Sequence, residues 1–224
     1  MQTFELRQYA MQPGKRDAFV AFFDREFLEP QEAHGACIVG QFRDLDDPDR
    51  FVWIRGHADM PSRKRMMHAF YDGEHWKQHR EAANACIADS DNVLLLKPAW
   101  EGAGFAVPAT RAAPGSPSEP SGVITANICS FGATLGEASR HAFRQMIPDI
   151  EALGATFLAA LISETAENNF PRHPIREGEN VFVWFALSER DSPRFPLPPD
   201  LTDQLTKPVE RLRLQPTPRS RLRV

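Results

Sequence analysis

No stretch of this chain approaches the roughly 20 consecutive apolar residues that a membrane helix needs, and the N-terminus MQTFELRQY is charged by position 5, without a signal-like apolar core. A soluble, unexported, cytoplasmic protein is the expectation. Cysteine is scarce: Cys37, Cys86 and Cys129 are odd in number, far apart and never spaced as CxxC, which excludes a disulfide framework and a thiolate metal cluster. They read as small buried hydrophobes in a reducing compartment. An excess of one charge is missing too. The net charge of −4 divides into 13 basic and 16 acidic residues up to position 100, and 13 and 14 after it, so neither half offers a polycationic face to nucleic acid. Nucleophile elbow, P-loop and dinucleotide fingerprint are absent, which removes support for covalent or nucleotide-dependent chemistry.

What is present is enough apolar material for a core, 42% of 224 residues, arranged in two similar halves. Residues 101–121, EGAGFAVPATRAAPGSPSEPS, hold four prolines and show neither helical nor strand periodicity; they read as a linker between units at 1–100 and 122–224. AHGACIVGQFRD and FVWIRGH in the first half correspond to ALGATFLAALISE and FVWFALSE in the second. The Gly-Ala pairs are offset by 119 and the FVW triplets by 131, so the second copy carries about 12 extra residues, ENNFPRHPIREGE, as a loop. It has lost a similar length before its last strand, the region equivalent to FYDGEHWKQHREAAN.

The first copy alternates as a strand through TFELRQY, turns at Gln12-Pro13-Gly14 and continues as a helix striped by Ala18, Phe19, Phe22, Phe23 and Phe27, with Pro30 at its expected end. Two strands joined across LDDPD follow, then helical sequence from about 61 to 87 and a closing strand NVLLLKPA. The order β-α-β-β-α-β is that of a ferredoxin-like unit. The expected fold class is therefore α+β: two ferredoxin-like (βαββαβ) repeats whose bare sheet faces pack together as a dimeric-type α+β barrel, closed within the chain or across a homodimer.

ELRQYAMQPGK, HGACIVGQF, FVWIRGHADMPSR and Trp76 resemble the NIPSNAP family of the dimeric α+β barrel superfamily over residues 3–99. FYDGEHWKQHREAANACIADSDNVLLLKP is similar to a bacterial subgroup of that family, while residues 122–224 match only in outline, as a degenerate second copy. The resemblance implies the fold and a pocket between sheet and helices. Relatives include cofactor-independent monooxygenases, haem-dependent enzymes and proteins without known chemistry, so it does not choose an activity.

Alternation places Glu5, Arg7 and Tyr9 on one side of the first strand. Arg7 would anchor a carboxylate or enolate and Tyr9 donate a hydrogen bond, or else Glu5 and Arg7 form an internal pair that fixes strand register. Phe51, Trp53, Arg55 and His57 share a face of the third strand, where they could stack a planar ligand or pack as core; His57 reads as a solvated loop histidine. On the helix after it, His75 and His79 lie one turn apart. A metal there would need a third ligand, for which Asp72 or Glu74 is near, but neither HExxH nor HxH occurs, and no metal site is expected. His79 serves better as a general base beside Trp76 and Tyr71, or as a structural residue tying the helix to ADSDN. Tyr71, Trp76, His79 and Asn84 fall on the subgroup's pattern; His75 does not. The C-terminal RLRLQPTPRSRLRV reads as a solvated basic tail.

These features point to a small planar organic ligand bound by Trp53, Arg55, Tyr71, Trp76 and Asn84, and to cofactor-independent oxygenation or isomerisation with His79, Arg7 and Tyr9 as the catalytic set. The alternatives are a non-enzymatic oligomerisation scaffold and haem binding through His75 or His79. A cavity of several hundred Å³ would favour the ligand, and a closely packed interface the scaffold.

Overall fold

Phe4 and Leu6 alternate with Glu5 and Arg7, and that alternation decides which face of the first strand points where. In the computed structural model, which describes residues 1–116, 120–189, 195 and 197–223, Phe4 and Leu6 face the inside of a closed eight-stranded barrel while Glu5, Arg7 and Tyr9 face a layer of helices. The first copy runs β1 (Thr3–Met11), α1 (Arg16–Glu26), α2 (Leu28–Ala33), β2 (Cys37–Asp44), β3 (Arg50–His57), α3 (Met60–Tyr71), α4 (Glu74–Asn84) and β4 (Ile87–Pro98). The second runs β5 (Val123–Ser130), α5 (Glu137–Gln145), α6 (Ile147–Ala152), β6 (Ala155–Ser163), β7 (Val181–Ser188), α7 (Pro199–Thr202) and β8 (Glu210–Pro216).

Strand order is β1-β3-β2-β8-β5-β7-β6-β4, closing back on β1. Each copy thus contributes a four-stranded antiparallel sheet, and the barrel closes within one chain. Its two seams are short: Phe42–Asp44 pair with Leu214–Pro216, and Leu96–Pro98 with Leu161–Ser163. Backbone pairing alone is a small part of what joins the copies. Side chains from both sheets fill the lumen, with Leu6, Val52 and Ile54 meeting Ile128, Val183 and Leu212 in one buried cluster. Burial of this kind contributes about 25 cal/mol per Å² of apolar surface, without directional demand, and so tolerates two sheets of different sequence.

Several local expectations change. Pro30 does not end the first helix; the chain breaks at Phe27 and Pro30 sits in the first turn of α2, where a missing N–H costs nothing. ADSDN belongs to β4, whose pairing with β1 is irregular around Tyr9 and Ala10. In the 101–121 stretch, Phe105 packs edge-on against Phe4 and at 4.9 Å from Phe185, covering the lumen. The C-terminal residues are not a solvated tail: Leu222 joins the lumen cluster, Arg219 bonds Glu29 on α2 and the backbone carbonyls of Asp24 and Ala112, and Arg221 pairs with Glu32. An acidic α2 holds what composition alone read as a free basic end.

Gly35 and Gly154, the repeat's matching glycines, both turn from helix to strand with positive φ, 94° and 84°. A Cβ at either would meet no atom within 4 Å, so an alanine is strained by its backbone alone. Gly35→Ala and Gly154→Ala are each expected to lower unfolding free energy by about 1–2 kcal/mol, and additively because the sites are remote; urea denaturation of the single and double variants measures this.

Candidate functional site

Glu5 lies at the centre of the face that β1 and β3 turn toward the helices, and it is wholly buried. Three arginines converge on it. Arg55 of β3 donates from Nε at 2.8 Å and from Nη2, Arg63 of α3 from Nε at 2.7 Å, and Arg7 of β1 from Nη1 at 3.3 Å. All are at most 1% exposed. Burial pushes the Glu5 carboxyl up, but Arg55, Arg63 and Arg7 outweigh it and hold the group well below the usual carboxylate range. One negative charge thus faces three positive ones, so the cluster carries a surplus of two. Other donors meet neutral groups: Gln31 at 2.6 Å and the Met67 sulfur for Arg55, and the amide oxygens of Asn168 and Asn169 for Arg63. Arg63 Nη2 has no hydrogen-bond partner among the described residues.

Beside the cluster is a cavity of about 70 Å³, lined by Tyr9, Phe23, Phe27, Gln31, Trp53, Tyr71, Trp76, Asn84 and His173 among others. Neither Arg7 nor Arg55 lines it. Each reaches it through a neutral side chain, since Arg7 Nε donates to the Tyr9 hydroxyl at 3.1 Å and Arg55 to the Gln31 amide. Arg7 also lies 5.4 Å from the Trp53 ring. Burial raises the Tyr9 phenol above its ordinary value against the opposing pull of Arg7, so at neutral pH it keeps its proton. With its oxygen accepting from Arg7, that proton is free to be donated elsewhere.

His173 comes from the second copy's extra loop, which folds over the first copy's site. Its ring is 4.0 Å from that of Tyr71, and Phe170 packs against Tyr71 and His68. Asn169 Nδ2 donates to the Met60 carbonyl and Arg172 to Asp72, fastening the loop to α3. Sequence reasoning identified this loop but assigned it no role. Burial and the fields of Arg7 and Arg55 bring His173 down to about 3, and burial with Arg55 does the same to His57. Contrary to expectation His57 is buried, 1% exposed, with neither ring nitrogen bonded among the described residues. His57 is the last residue of β3, on the same face as Arg55, before the chain turns to α3.

Among the residues singled out from the sequence, Tyr9, Trp53, Tyr71, Trp76 and Asn84 line the cavity, while Arg7 and Arg55 stand behind it. His79 does not line it. It faces α1, with its ring 6.0 Å from that of Phe22 and its Nε2 3.4 Å from Glu26, and it is not bonded to ADSDN.

A model of the NIPSNAP family matches residues 4–100. These residues are a NIPSNAP domain. Over nearly the whole chain the fold is similar to that of a Lactobacillus acidophilus protein provisionally assigned as a monooxygenase, at 12% identity and TM-score 0.60, with 96% of this chain and 94% of that one covered. An anthrone oxidase-like protein gives 12% identity and TM-score 0.57, covering 96% and 91%. An uncharacterised NIPSNAP domain protein of Burkholderia xenovorans is 18% identical over 43% of this chain and 94% of its own, at TM-score 0.40. No curated protein matches the chain. The two whole-chain likenesses are likenesses of fold.

Strand register shows that the second copy lacks the cluster of the NIPSNAP domain. Arg7 pairs with Trp53, and Asn127 with the corresponding Trp184. By the same register Glu5, Tyr9 and Arg55 correspond to Thr125, Cys129 and Ala186. Only one copy carries the charged site.

Glu5→Gln is expected to cost about 3–5 kcal/mol in urea denaturation, because it strands three buried cations. Acid is expected to act in the same direction. His57 and His173 titrate near 6.5 when unfolded and at about 3 when folded. Between those values the unfolded chain binds more protons, so stability falls as pH drops, by up to about 1.4 kcal/mol per pH unit for each histidine. Unfolding curves at pH 7 and 5 check this, and His57→Gln should flatten the dependence.

Proposed function

We propose that the NIPSNAP domain binds the enolate or phenolate form of a small planar organic molecule between the β1–β3 face and α4, and carries out cofactor-independent oxygenation or isomerisation on it. The observation that carries this reading is the buried surplus of two positive charges behind the neutral cavity lining. An uncompensated charge in a low-dielectric interior is costly. An anion formed in the adjoining cavity relieves that cost, which is the condition for stabilising a charge that develops during reaction.

The roles follow from the hydrogen bonds. Tyr9, polarised by Arg7, donates to the developing oxyanion, and Gln31, held by Arg55, orients the ligand's polar edge. His173 is the proton acceptor in this arrangement, in place of His79, which faces α1. With its pKa held at about 3 it is a weak base by itself, and it becomes effective because the anion formed beside it offsets the field of the arginines. The carbanion then either takes its proton back at another carbon or passes an electron to dioxygen. In the second course a C–O bond forms, and loss of water from the hydroperoxide leaves a ketone. The monooxygenase and oxidase-like assignments of two whole-chain neighbours agree with that class of chemistry.

The 70 Å³ cavity is about half the volume that holds benzene in an engineered apolar pocket, about 150 Å³. Binding of a ring therefore requires α4 or the loop at 168–173 to move outward. The competing reading, a scaffold without chemistry, draws on the buried apolar cluster that occupies the lumen and on this small volume.

A screen of phenols, aromatic acids and an anthrone by thermal shift and native mass spectrometry, with an oxygen electrode for the anthrone, separates the two. The expected result is stabilisation by at least one planar acid or enol, weakened at least tenfold (about 1.4 kcal/mol) in both Tyr9→Phe and Arg7→Met. Failure of every compound to bind would leave the scaffold as the better account.

A further inference from the structure

Three side chains outside the cavity meet where the end of α1 touches α4. His75 Nε2 lies 2.6 Å from the backbone carbonyl of Glu26, so that nitrogen carries the proton and donates. The other ring nitrogen, Nδ1, is left with its lone pair. His79 Nε2 is 3.4 Å from Glu26 Oε2, and the two imidazole rings are 4.6 Å apart. One ligand atom from each of Glu26, His75 and His79 lies within 4.8 Å of the other two. The acids nearest in sequence do not take part: Asp72 pairs with His68 and Arg172, and Glu74 with Lys77.

We propose that Glu26, His75 and His79 bind a zinc-class divalent metal ion that fastens α1 to α4. Two imidazoles and one carboxylate suit a borderline divalent ion, and a fourth position remains for water. The backbone carbonyl that accepts from His75 Nε2 is the kind of outer contact that fixes a ligating histidine's tautomer and ring plane. Around tetrahedral zinc, ligand atoms stand roughly 3.3–3.5 Å apart. Side-chain rotations that draw the three groups together by about an ångström complete the site. The competing contact on Glu26 is Arg25 Nε at 2.6 Å from Oε1; the Arg25 side chain is 65% exposed, so this is a weak, solvent-screened pair. The consequence reaches the cavity, because α4 carries Trp76, Ala83 and Asn84 on its wall. A metal at the contact of α1 with α4 holds that wall in place, whatever the cavity binds.

The test uses the full chain stripped of metal with a chelator. Zn²⁺ at about a hundredfold excess over its Kd is expected to raise Tm by about 5–10 °C. Co²⁺ is expected to give visible ligand-field bands that one equivalent of Zn²⁺ removes. His75→Ala, His79→Ala and Glu26→Gln should each weaken binding at least tenfold, and His141→Ala on α5 should leave it unchanged. All three residues of the site are partly exposed, and far-ultraviolet circular dichroism verifies that the variants fold. If a variant does not fold, the wild-type cobalt bands and their loss to zinc decide. The proposal is overturned by the absence of bands and of a Tm shift, by an undiminished response in His79→Ala, or by a thiolate charge-transfer band that puts the metal on a cysteine.

Discussion

The structure turns on one buried carboxylate. Glu5 accepts from arginines on β1, β3 and α3, and through Arg63 it is linked to Asn168 and Asn169 of the second copy's loop. A carboxylate in a wholly buried position is tolerated only because its oxygens are saturated by charged donors, and the donors are tolerated only because of it. Strand register, helix placement and loop closure all meet at this group. Three positive charges meet one negative, and the field of the arginines acts on His173 and on Tyr9.

The two copies have divided their roles. Both supply four strands to one barrel, and both must present an apolar inner face, because the lumen is shared. The outer faces carry no such joint constraint. On the first copy that face holds the charged cluster; on the second, Thr125, Asn127, Cys129 and Ala186 stand at the matching register. Among its described residues the second copy has only a four-residue helix, α7, before its last strand, and its added loop covers the neighbour's candidate site. What it lost from its own helical layer it supplies as a cover for the NIPSNAP domain.

The lumen and the cavity answer different questions. A filled lumen, covered by Phe105 and joined by Leu222, explains how a single chain closes the barrel with two short seams. In the helix–sheet layer of the first copy, Arg63 Nη2, the Trp53 indole nitrogen and both nitrogens of His57 are buried without partners among the described residues, as are the Gln8 amide of β1 and the Trp184 indole nitrogen of the second copy. No described helix is long and apolar enough to cross a membrane.

Alternation and internal repetition were enough to determine much of this protein. Period-two spacing put Glu5, Arg7 and Tyr9 on one face and Phe4 and Leu6 on the other, because successive strand side chains must point oppositely. The matched Gly-Ala pairs and FVW triplets located four strands and the loop between β6 and β7, and the motifs of residues 3–99 carried the family. The expectations that failed concerned groups whose partners are distant in sequence. Whether the basic C-terminus was solvated depended on acids of α2, whether His57 was exposed depended on the helix packed over its strand, and the neighbours of His75 and His79 came from α1, 49 residues before His75. Tertiary structure alone decided that the second copy's loop closes the first copy's site, because loop composition fixes that a segment leaves a sheet and says nothing of which surface it crosses.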